Sequence, residues 1–405
     1  SADVTLTAAW SSSLTGVATI NTVGVAKAIA NGATTISASL GGKTGQGTLN
    51  VVARALGDNT PPTAAITSPA DGGAVIGPTP IIGTASDTNF LRYELAYAVA
   101  GDENYTLIAE GTTAVTNGTL GTLDPTTLVN DLYTLRLKVF DRSENESVTT
   151  RTVQLTGNRK VGLFSLTFND LTIPMSGIPI TVNRTYDSRD KTQGDFGIGW
   201  RLGLQTLRLR ANRVLGTGWV RTVSGPTVSL APTSEHKVSL TLADGRVEEF
   251  DMIVSPTSNI GSLDFTNVTG FQPRSGTLGQ LQALGNNSLL IVNGGAEVEL
   301  VDDSTLNTYS PTLYRYSTTD GTQIEISPTA GVKKVTDRNG NTVTFSTSGI
   351  IHSAGKSVIF TRDLQGRITQ ITDPLGNVQN YTYDGNCGLV AHATAAGKVS
   401  RYAYS

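Results

Sequence analysis

A five-position pattern recurs three times between residues 332 and 402, and it limits the possible folds more than any other feature of the sequence. Two wall residues lie three apart, a turn residue follows two later, a Gly three later and an aromatic residue five later. The copies are Val332, Val335, Asp337, Gly340 and Phe345; Ile368, Ile371, Asp373, Gly376 and Tyr381; and Leu389, His392, Thr394, Gly397 and Tyr402. The last two copies are 21 residues apart at every position, and such a period predicts one repeated supersecondary unit.

Each copy is predicted to be a β-hairpin. Asp-x-x-Gly suits a tight turn, because the Asp side chain bonds backbone groups two residues on and Gly adopts positive φ. After the turn, Tyr381 and Tyr383 alternate onto one face of a strand. Because a lone hairpin is marginally stable, the copies are expected to stack into a continuous sheet. Thr394 replaces Asp in the third copy, as a turn tolerates, so the stretch 371–386 is interpreted as structural.

Composition favours an all-β chain. Charged residues make up 16% of the 405 residues, against about a quarter in an average protein, and no window sustains the apolar spacing of a long helix. The net charge of −3 gives no electrostatic reason to expect nucleic acid as a partner. No apolar run approaches the roughly 18 residues of a membrane span. The single cysteine, Cys387, excludes an intrachain disulfide.

Residues 1–55 are predicted to form short strands separated by Gly, Asn and Ser. The stretch 8–42, around Trp10 and the sequence AIANG (28–32), resembles the bacterial Ig-like module of intimin and invasin-type surface proteins. That module has further residues before its tryptophan. Residues 1–55 are therefore interpreted as a truncated bacterial Ig-like domain, and the chain as a piece of a longer protein.

A second β-module is predicted after a stiff junction at Pro61-Pro62, where proline fixes φ and holds the preceding residue extended. In the stretch 133–139, apolar and polar residues alternate as in a half-buried strand. Residues 60–156 resemble a fibronectin type III-like or Ig-like module, whose last strands match LDPTTLVNDLYTLRLKVFDRSENES (123–147). A fold resemblance of this kind carries no activity with it.

The stretch 162–204 resembles the opening of the Rhs/YD-repeat proteins, a family of large β-shells in bacterial toxins and, distantly, teneurins. The matching positions are Phe164, Asp170, Pro174, Gly177, Arg184-Thr185-Tyr186, Gly194 and Gly199-Trp200. The resemblance assigns 158–405 to the N-terminal region of such a shell, with YD-type repeats at about 331–405. It implies a secreted or surface-displayed bacterial protein whose shell encloses a C-terminal effector, often a toxin.

The predicted architecture is thus all-β, with two Ig-like β-sandwich modules followed by the start of an Rhs/YD-repeat β-shell. The expected role is structural and non-enzymatic. The expected partners are the downstream YD repeats and the C-terminal effector of the same protein. The identity of that effector, the target cell, the closure of the shell and the oligomeric state stay open.

No catalytic, cofactor-binding or metal-ligating residue is predicted. The histidines His236, His352 and His392 have no metal-ligand spacing, and His392 occupies a wall position of the repeat. No GxSxG motif occurs. Gly197-x-Gly199 lacks the strand-turn-helix setting of a dinucleotide loop, so these glycines are interpreted as turn residues.

Other conspicuous residues also have ordinary structural explanations. Trp200 and Trp219 could stack on a sugar, but core packing is the commoner role of such residues. Cys387 takes the place of a turn glycine and has no base beside it in the repeat. Three arginines alternate with leucines, as on a charged strand face, and they are Arg208, Arg210 and Arg213.

Two acidic turns, 86–90 with Asp87 and 141–147 with Asp141, contain hard oxygen ligands of the kind that Ca²⁺ prefers. Neither turn matches an EF-hand loop, and solvated acidic turns are far commoner than calcium sites. The sequence leaves calcium binding at these turns open.

Two other functions are alternatives. A surface adhesin would use its Ig-like modules as a stalk and would bind cells, a cell-surface receptor or glycans through an exposed apolar or aromatic patch. A polysaccharide-active enzyme would need paired carboxylates in a cleft. The sequence shows no such pair, and Asp170, Asp187 and Asp195 are the carboxylates whose replacement would test for one.

Overall fold

The computed structural model describes residues 5, 7–55, 57–157, 164–260, 267–292, 295, 297–386 and 388–404. Within these ranges the chain forms 38 β-strands and no α-helix, which confirms the all-β prediction. Two short 3-10 helices are present, Pro125–Thr127 and Gly203–Thr206. None of the described helices has the length and apolar character needed to cross a membrane.

The first region has a small core with few buried side chains. Its strands are β1 Ala9–Ser12, β2 Ala18–Ile20, β3 Ala26–Ala28, β4 Gly32–Leu40 and β5 Lys43–Val51. Strands β1, β4 and β5 form an antiparallel sheet, and β2 pairs with β3. Of the described residues in this region, only Ala8, Ala18 and Thr34 are buried. The region therefore removes little apolar surface from water, and its assignment to an Ig-like module stays a prediction.

The second region consists of two sheets that share one core. Its strands are β6 Thr63–Ser68, β7 Gly73–Val75, β8 Thr79–Ser86, β9 Phe90–Val99, β10 Thr106–Gly111, β11 Val115–Leu123, β12 Asp131–Asp141 and β13 Glu146–Leu155. One sheet has the order β10-β9-β12-β13-β7 and the other β11-β8-β6. Along β12, Tyr133, Leu135, Leu137 and Val139 are all buried, which confirms the predicted alternation.

The third region begins with a β-hairpin that packs against later parts of the chain. Its strands are β14 Ser165–Ile173, β15 Ile180–Asp187, β16 Gln193–Gly194, β17 Gly197–Ile198 and β18 Trp200–Leu202. Strands β14, β15 and β18 form one sheet. Gly199 has a φ of +75°, and a Cβ there would lie 3.0 Å from the carbonyl oxygen of Asp187. Glycine is therefore required at this turn, as the sequence predicts.

A nine-stranded sheet follows, with the order β19-β22-β23-β25-β27-β28-β20-β21-β24. The strands of this stretch are β19 Arg208–Ala211, β20 Trp219–Ser224, β21 Thr227–Pro232, β22 Lys237–Thr241, β23 Val247–Ser255, β24 Ser258–Ile260, β25 Asn267–Pro273, β26 Gln280–Ala283, β27 Ser288–Val292 and β28 Glu297–Asp302. Strand β26 does not pair in this sheet and is instead an edge strand of the next one.

The predicted repeats lie in an eleven-stranded sheet of order β26-β29-β30-β31-β32-β33-β34-β35-β36-β37-β38. Its further strands are β29 Tyr314–Ser317, β30 Gln323–Ser327, β31 Gly331–Thr336, β32 Thr342–Ser346, β33 Gly349–His352, β34 Ser357–Arg362, β35 Ile368–Thr372, β36 Val378–Tyr383, β37 Leu389–Ala393 and β38 Val399–Arg401. From β29 onward every strand pairs antiparallel with the next strand in the chain. The repeats therefore stack edge to edge.

One hydrophobic core joins the hairpin and both large sheets. It extends along the chain from Ile180 to Leu389 and includes Phe196, Trp200 and Tyr381. The second region has a separate core. Polar contacts connect the two, such as the hydrogen bond from Lys237 Nζ to the Gly72 carbonyl (2.9 Å). The domain boundaries 1–55, 60–156 and 158–405 remain predictions, and residues 158–163 lie outside the described part of the chain.

Limited proteolysis is expected to cut within the first 55 residues or the adjoining 55–61 segment before it cuts the second region. Local opening requires little free energy where few side chains are buried. Mass spectrometry of early digestion products should therefore show intact fragments that begin near Pro61. Early cleavage between residues 63 and 155, with residues 7–52 still intact, would contradict this expectation.

Candidate functional site

The repeated Asp-x-x-Gly segments form the predicted turns. Asp373 Oδ1 accepts hydrogen bonds from the backbone N–H groups of Leu375 (2.8 Å) and Asn377 (2.9 Å). Gly376 has a φ of +85° and donates its N–H to the Asp373 carbonyl (3.0 Å). In the third copy, Thr394 Oγ1 accepts the N–H of Lys398 (3.1 Å) in the same manner. The recurring aspartates are thus bonded within their own turns.

Two substitutions should separate the turn from its charge. Asp373→Asn is expected to change the free energy of unfolding by less than about 1 kcal/mol, because Asn makes the same turn bonds. Gly376→Val is expected to lower it by about 1–3 kcal/mol, since a β-branched residue is strained at positive φ even where space is open. Urea unfolding of both variants measures the difference. Equal effects would contradict the turn mechanism.

A buried ion pair lies where the β14–β15 hairpin meets the repeats. Arg184 donates from Nε to Asp170 Oδ2 (2.8 Å) and from Nη2 to Asp170 Oδ1 (3.1 Å), and its side chain has no exposed surface. Tyr381 Oη donates to Asp170 Oδ2 (2.9 Å), and Arg184 Nη2 also donates to Tyr402 Oη (3.0 Å). Gln379 Nε2 donates to the Asp170 backbone carbonyl (2.7 Å). We call these five residues the Arg184 cluster.

Aromatic rings enclose the guanidinium of Arg184. The rings whose centres lie 4.8–5.9 Å from its Cζ atom belong to Phe168, Phe196, Trp200, Tyr381 and Tyr402. Such contacts between a cation and ring faces are favourable, the more so when water is excluded. Burial alone would lower the pKa of Arg184, but the hydrogen bonds and charge of Asp170 outweigh it and raise that pKa. Arg184 therefore stays charged.

The Arg184 cluster connects the β14–β15 hairpin to the repeats. Both residues of its ion pair come from the β14–β15 hairpin, whereas Gln379, Tyr381 and Tyr402 come from the repeats. His392 packs beside it, stacked on Tyr381 with 4.8 Å between ring centres. Burial raises the pKa of Tyr381, as does the neighbouring Asp170, so the phenol stays protonated and keeps donating. With its ion pair closed to solvent, the cluster fixes the hairpin against the repeats.

The two acidic turns singled out in the sequence do meet, together with a third aspartate from the junction before Pro61. One carboxylate oxygen each of Asp58, Asp87 and Asp141 lie within 4.8 Å of one another. Oxygens at this spacing could share a calcium ion, whose ligands bind at about 2.3–2.6 Å. The carboxylates already accept protein hydrogen bonds, such as that from Asn89 Nδ2 to Asp58 Oδ2 (2.7 Å), which lowers the pKa of Asp58.

Calcium binding at these three aspartates stays a hypothesis. No other group of three or more candidate metal ligands occurs in the described ranges. A titration with Ca²⁺, followed by the melting temperature, decides it. A rise in melting temperature that is absent in an Asp87→Asn variant would establish the site. An unchanged melting temperature in the parent would show that hydrogen bonds alone hold these turns.

The remaining residues considered from sequence lie apart in the structure. His236 is buried, stacks on Trp219 at 4.5 Å between ring centres and contacts the Thr217 carbonyl through Nε2 (2.6 Å). His352 is also buried. Trp200 and Trp219 are almost fully buried core residues, so they present no sugar-stacking surface. Cys387 lies outside the described residues.

The alternating arginines predicted on a charged strand face lie at the boundary with the second region. Arg208 and Arg210 approach Asp131 Oδ2, at 4.0 and 3.7 Å from their Nε atoms. Arg213 pairs with Asp71. These ion pairs connect β19 and the residues after it to the second region.

The carboxylates that would test the enzyme alternative are also engaged. Asp170 belongs to the Arg184 cluster. Asp187 forms a bidentate ion pair with Arg189 (2.7 and 2.9 Å). Asp195 accepts a hydrogen bond from Arg362 Nη2 (2.8 Å), which connects the β16–β17 segment to the repeats.

Stability is expected to fall as the pH drops below about 6.5, because two buried histidines must then charge. Burial lowers the pKa of His236 and of His392 from 6.5. A depressed pKa contributes stability that is complete above the unfolded value and is lost as pH falls through the folded one. The melting temperature should decline between pH 7.5 and 5, and less steeply in a His236→Asn/His392→Gln variant. Parallel pH profiles of parent and variant would rule out this cause.

Comparison with known families identifies part of the chain. Residues 362–399 match the family described as RHS Repeat. This segment of the chain is similar to an RHS repeat. Residues 158–210 match a second family, described as Domain of unknown function (DUF6531). The RHS repeat contains Gln379 and Tyr381, and the DUF6531 segment contains Asp170 and Arg184, so the Arg184 cluster connects the two matched segments.

No curated protein matches the sequence. Among solved structures, the extracellular domain of Protocadherin GammaB4 is similar at 11% identity and a TM-score of 0.14, over 79% of this chain and 58% of that one. The human Desmocollin-1 ectodomain is similar at 10% identity and a TM-score of 0.14, over 99% of this chain and 93% of that one.

Proposed function

We propose that this chain is a non-enzymatic structural part of a large secreted or surface-displayed bacterial Rhs/YD-repeat protein. In this role, residues 158–405 form the start of a β-shell that encloses a C-terminal effector, such as a toxin. The observation that carries the proposal is the eleven-stranded sheet, in which the RHS repeat is one of several consecutive hairpins. A wall built in this way lengthens by one hairpin for every further repeat.

The repeats are suited to a wall with one apolar face. Within the RHS repeat, Ile368, Ile371 and Tyr381 are buried, whereas the turn residue Leu375 is exposed. These buried side chains belong to the same hydrophobic core as those of the hairpin and of the nine-stranded sheet. The Arg184 cluster then holds the DUF6531 segment in place as one end of that wall.

The proposal is tested on the full-length protein with its downstream sequence. If a shell encloses the C-terminal effector, a protease that cleaves the isolated effector should leave it intact in the assembled protein. Destabilising the wall with Tyr381→Ala should expose it, whereas Asp373→Asn should leave it protected. Cleavage of the effector at the same rate in all three proteins and in isolation would refute the enclosing role.

A surface adhesin is the second candidate, and exposed apolar side chains in the first region favour it. Val23, Val25 and Ile29, in and beside the β2–β3 hairpin, are each about half exposed (46–61%). Apolar groups in water often mark a binding surface. Binding of the whole chain to cells or a glycan array, reduced in a Val25→Ser/Ile29→Ser variant, would support adhesion. Absence of binding to either would leave the structural role as the better explanation.

An enzymatic role is tested most directly through the two carboxylates nearest the surface of the hairpin region, Asp187 and Asp195. Each is tied to an arginine. We expect no glycan-hydrolysing activity from the parent chain. An activity that disappears in Asp187→Ala or Asp195→Ala at unchanged melting temperature would overturn the non-enzymatic proposal.

A further inference from the structure

A cavity of about 460 Å³ lies between the β16–β19 segment and the turns of the eleven-stranded sheet. One wall comes from residues 193–195 and 207–210, and the other from 327–333, 345–347, 362 and 365–366. Its volume falls within the range of small-molecule sites, about 300–1,000 Å³. It is separate from the buried Arg184 cluster, none of whose residues lines it.

The charged side chains around this cavity are mostly cationic. Those that line it are Arg201, Arg208, Arg210, Lys333, Arg362 and the single carboxylate Asp195. We call it the arginine cavity. Two further carboxylates, Asp131 and Asp190, pair with its arginines from outside the lining. Five cations therefore face three carboxylates, in a chain whose net charge is −3.

Three of the arginines have close carboxylate partners. Arg201 Nε lies 2.6 Å and Arg208 Nη2 3.3 Å from Asp190 Oδ2, and Arg362 Nη2 lies 2.8 Å from Asp195 Oδ1. These pairs hold the guanidinium groups in fixed positions around the cavity. A ligand that binds them would lose little side-chain entropy, because the arginines are already ordered.

The other two cations are incompletely matched. Arg210 Nε is closed to solvent and lies 3.7 Å from Asp131 Oδ2, a carboxylate that Arg210 shares with Arg208. Lys333 forms no ion pair with any carboxylate in the described part of the chain. The protein's own carboxylates therefore leave positive charge at the cavity unmatched, and an anion bound there would gain from that charge.

We propose that the arginine cavity binds a small multivalent oxyanion, a molecule with at least two carboxylate or phosphate groups. Guanidinium groups are planar and present parallel N–H donors that match the oxygens of both groups. Arg210 and Lys333 supply the positive charge that the protein's own carboxylates leave unmatched. The cavity volume of about 460 Å³ suits a ligand of the size of a small metabolite.

Isothermal titration calorimetry of the full chain with citrate and with pyrophosphate tests the proposal. The two probes distinguish carboxylate from phosphate recognition, and sodium chloride at matched ionic strength is the control for charge screening. We expect saturable binding of at least one probe and an increase in melting temperature that sodium chloride does not reproduce.

Two variants assign the binding to the cavity. Lys333→Gln removes a cation that has no ion pair to lose, and Arg210→Gln removes a cation that shares the Asp131 carboxylate with Arg208. Each is expected to weaken binding at least tenfold, whereas Arg338→Gln, an exposed arginine outside the cavity, should not change it. No saturable binding by the parent, or equal binding by Lys333→Gln and parent, would overturn the proposal. Because Lys333→Gln breaks no ion pair, its result stands even if Arg210→Gln fails to fold.

Discussion

Replacing Asp170 by alanine is expected to lower the free energy of unfolding by about 3–5 kcal/mol, because it leaves the Arg184 charge buried without its carboxylate. Arg184 has no exposed surface, and Asp170 is almost as deeply buried. The loss should also remove the acceptor of the Tyr381 hydroxyl. Urea unfolding followed by tryptophan fluorescence measures the effect, since Trp200 packs 4.8 Å from the guanidinium.

Two companion variants identify the cause. Asp244→Ala removes one partner of an exposed ion pair with Arg246, so it should change stability by less than about 1 kcal/mol. Asp170→Ala combined with Arg184→Met removes both charges and should be less destabilising than Asp170→Ala alone. If the double variant is the less stable of the two, the buried charge is not what makes the single variant unstable.

Replacing Tyr381 by alanine is expected to lower the free energy of unfolding by about 3–5 kcal/mol, the usual loss when a buried aromatic side chain is truncated. The ring is buried between Phe196, at 4.9 Å between ring centres, and His392, at 4.8 Å. The substitution leaves a cavity beside Arg184 and removes one hydrogen bond to Asp170. Urea unfolding of the chain provides the measurement.

Tyr381→Phe separates the ring from the hydroxyl group. It keeps the packing and removes only the hydrogen bond to a charged acceptor, so we expect a loss of about 1.5–3 kcal/mol. A Phe variant as unstable as the Ala variant would show that the contribution of Tyr381 lies in its hydroxyl group and not in its packing.

The sequence predicted the repeated hairpins well, because their determinants are local. An Asp that bonds its own turn and a Gly at positive φ act within five residues, and the pleat then fixes which side chains share a face. The turns at Asp337, Asp373 and Thr394 accordingly have the same backbone hydrogen bonds. The alternation along β12 was equally local.

The Arg184 cluster was not predicted, because its partners are about 200 residues apart in the chain. A signal was present in part. Ile180, Val182 and Arg184 alternate onto one face of a strand, so a charged side chain points inward with two apolar ones. That pattern requires a buried counter-ion, but periodicity cannot say which carboxylate supplies it.

The three-aspartate group shows the same limit. Each acidic turn was visible in the sequence, yet only the fold brings Asp58, Asp87 and Asp141 together at one end of the second region. The sequence of the junction before Pro61 predicts only a stiff backbone and does not indicate that Asp58 joins the other two aspartates. The arginine cavity was missed for a similar reason, because Lys333 and Arg210 come from different sheets.

The strict succession of strands from β29 to β38 has a consequence for the order of events during synthesis. Each of these strands needs only the strand before it, so pairing can advance from the ribosome hairpin by hairpin, without waiting for distant sequence. The β14–β15 hairpin differs, because its Asp170–Arg184 ion pair gains the hydrogen bonds to Tyr381 and Tyr402 only after those residues have been made. The part of the third region that is translated first is therefore among the last to complete its tertiary contacts.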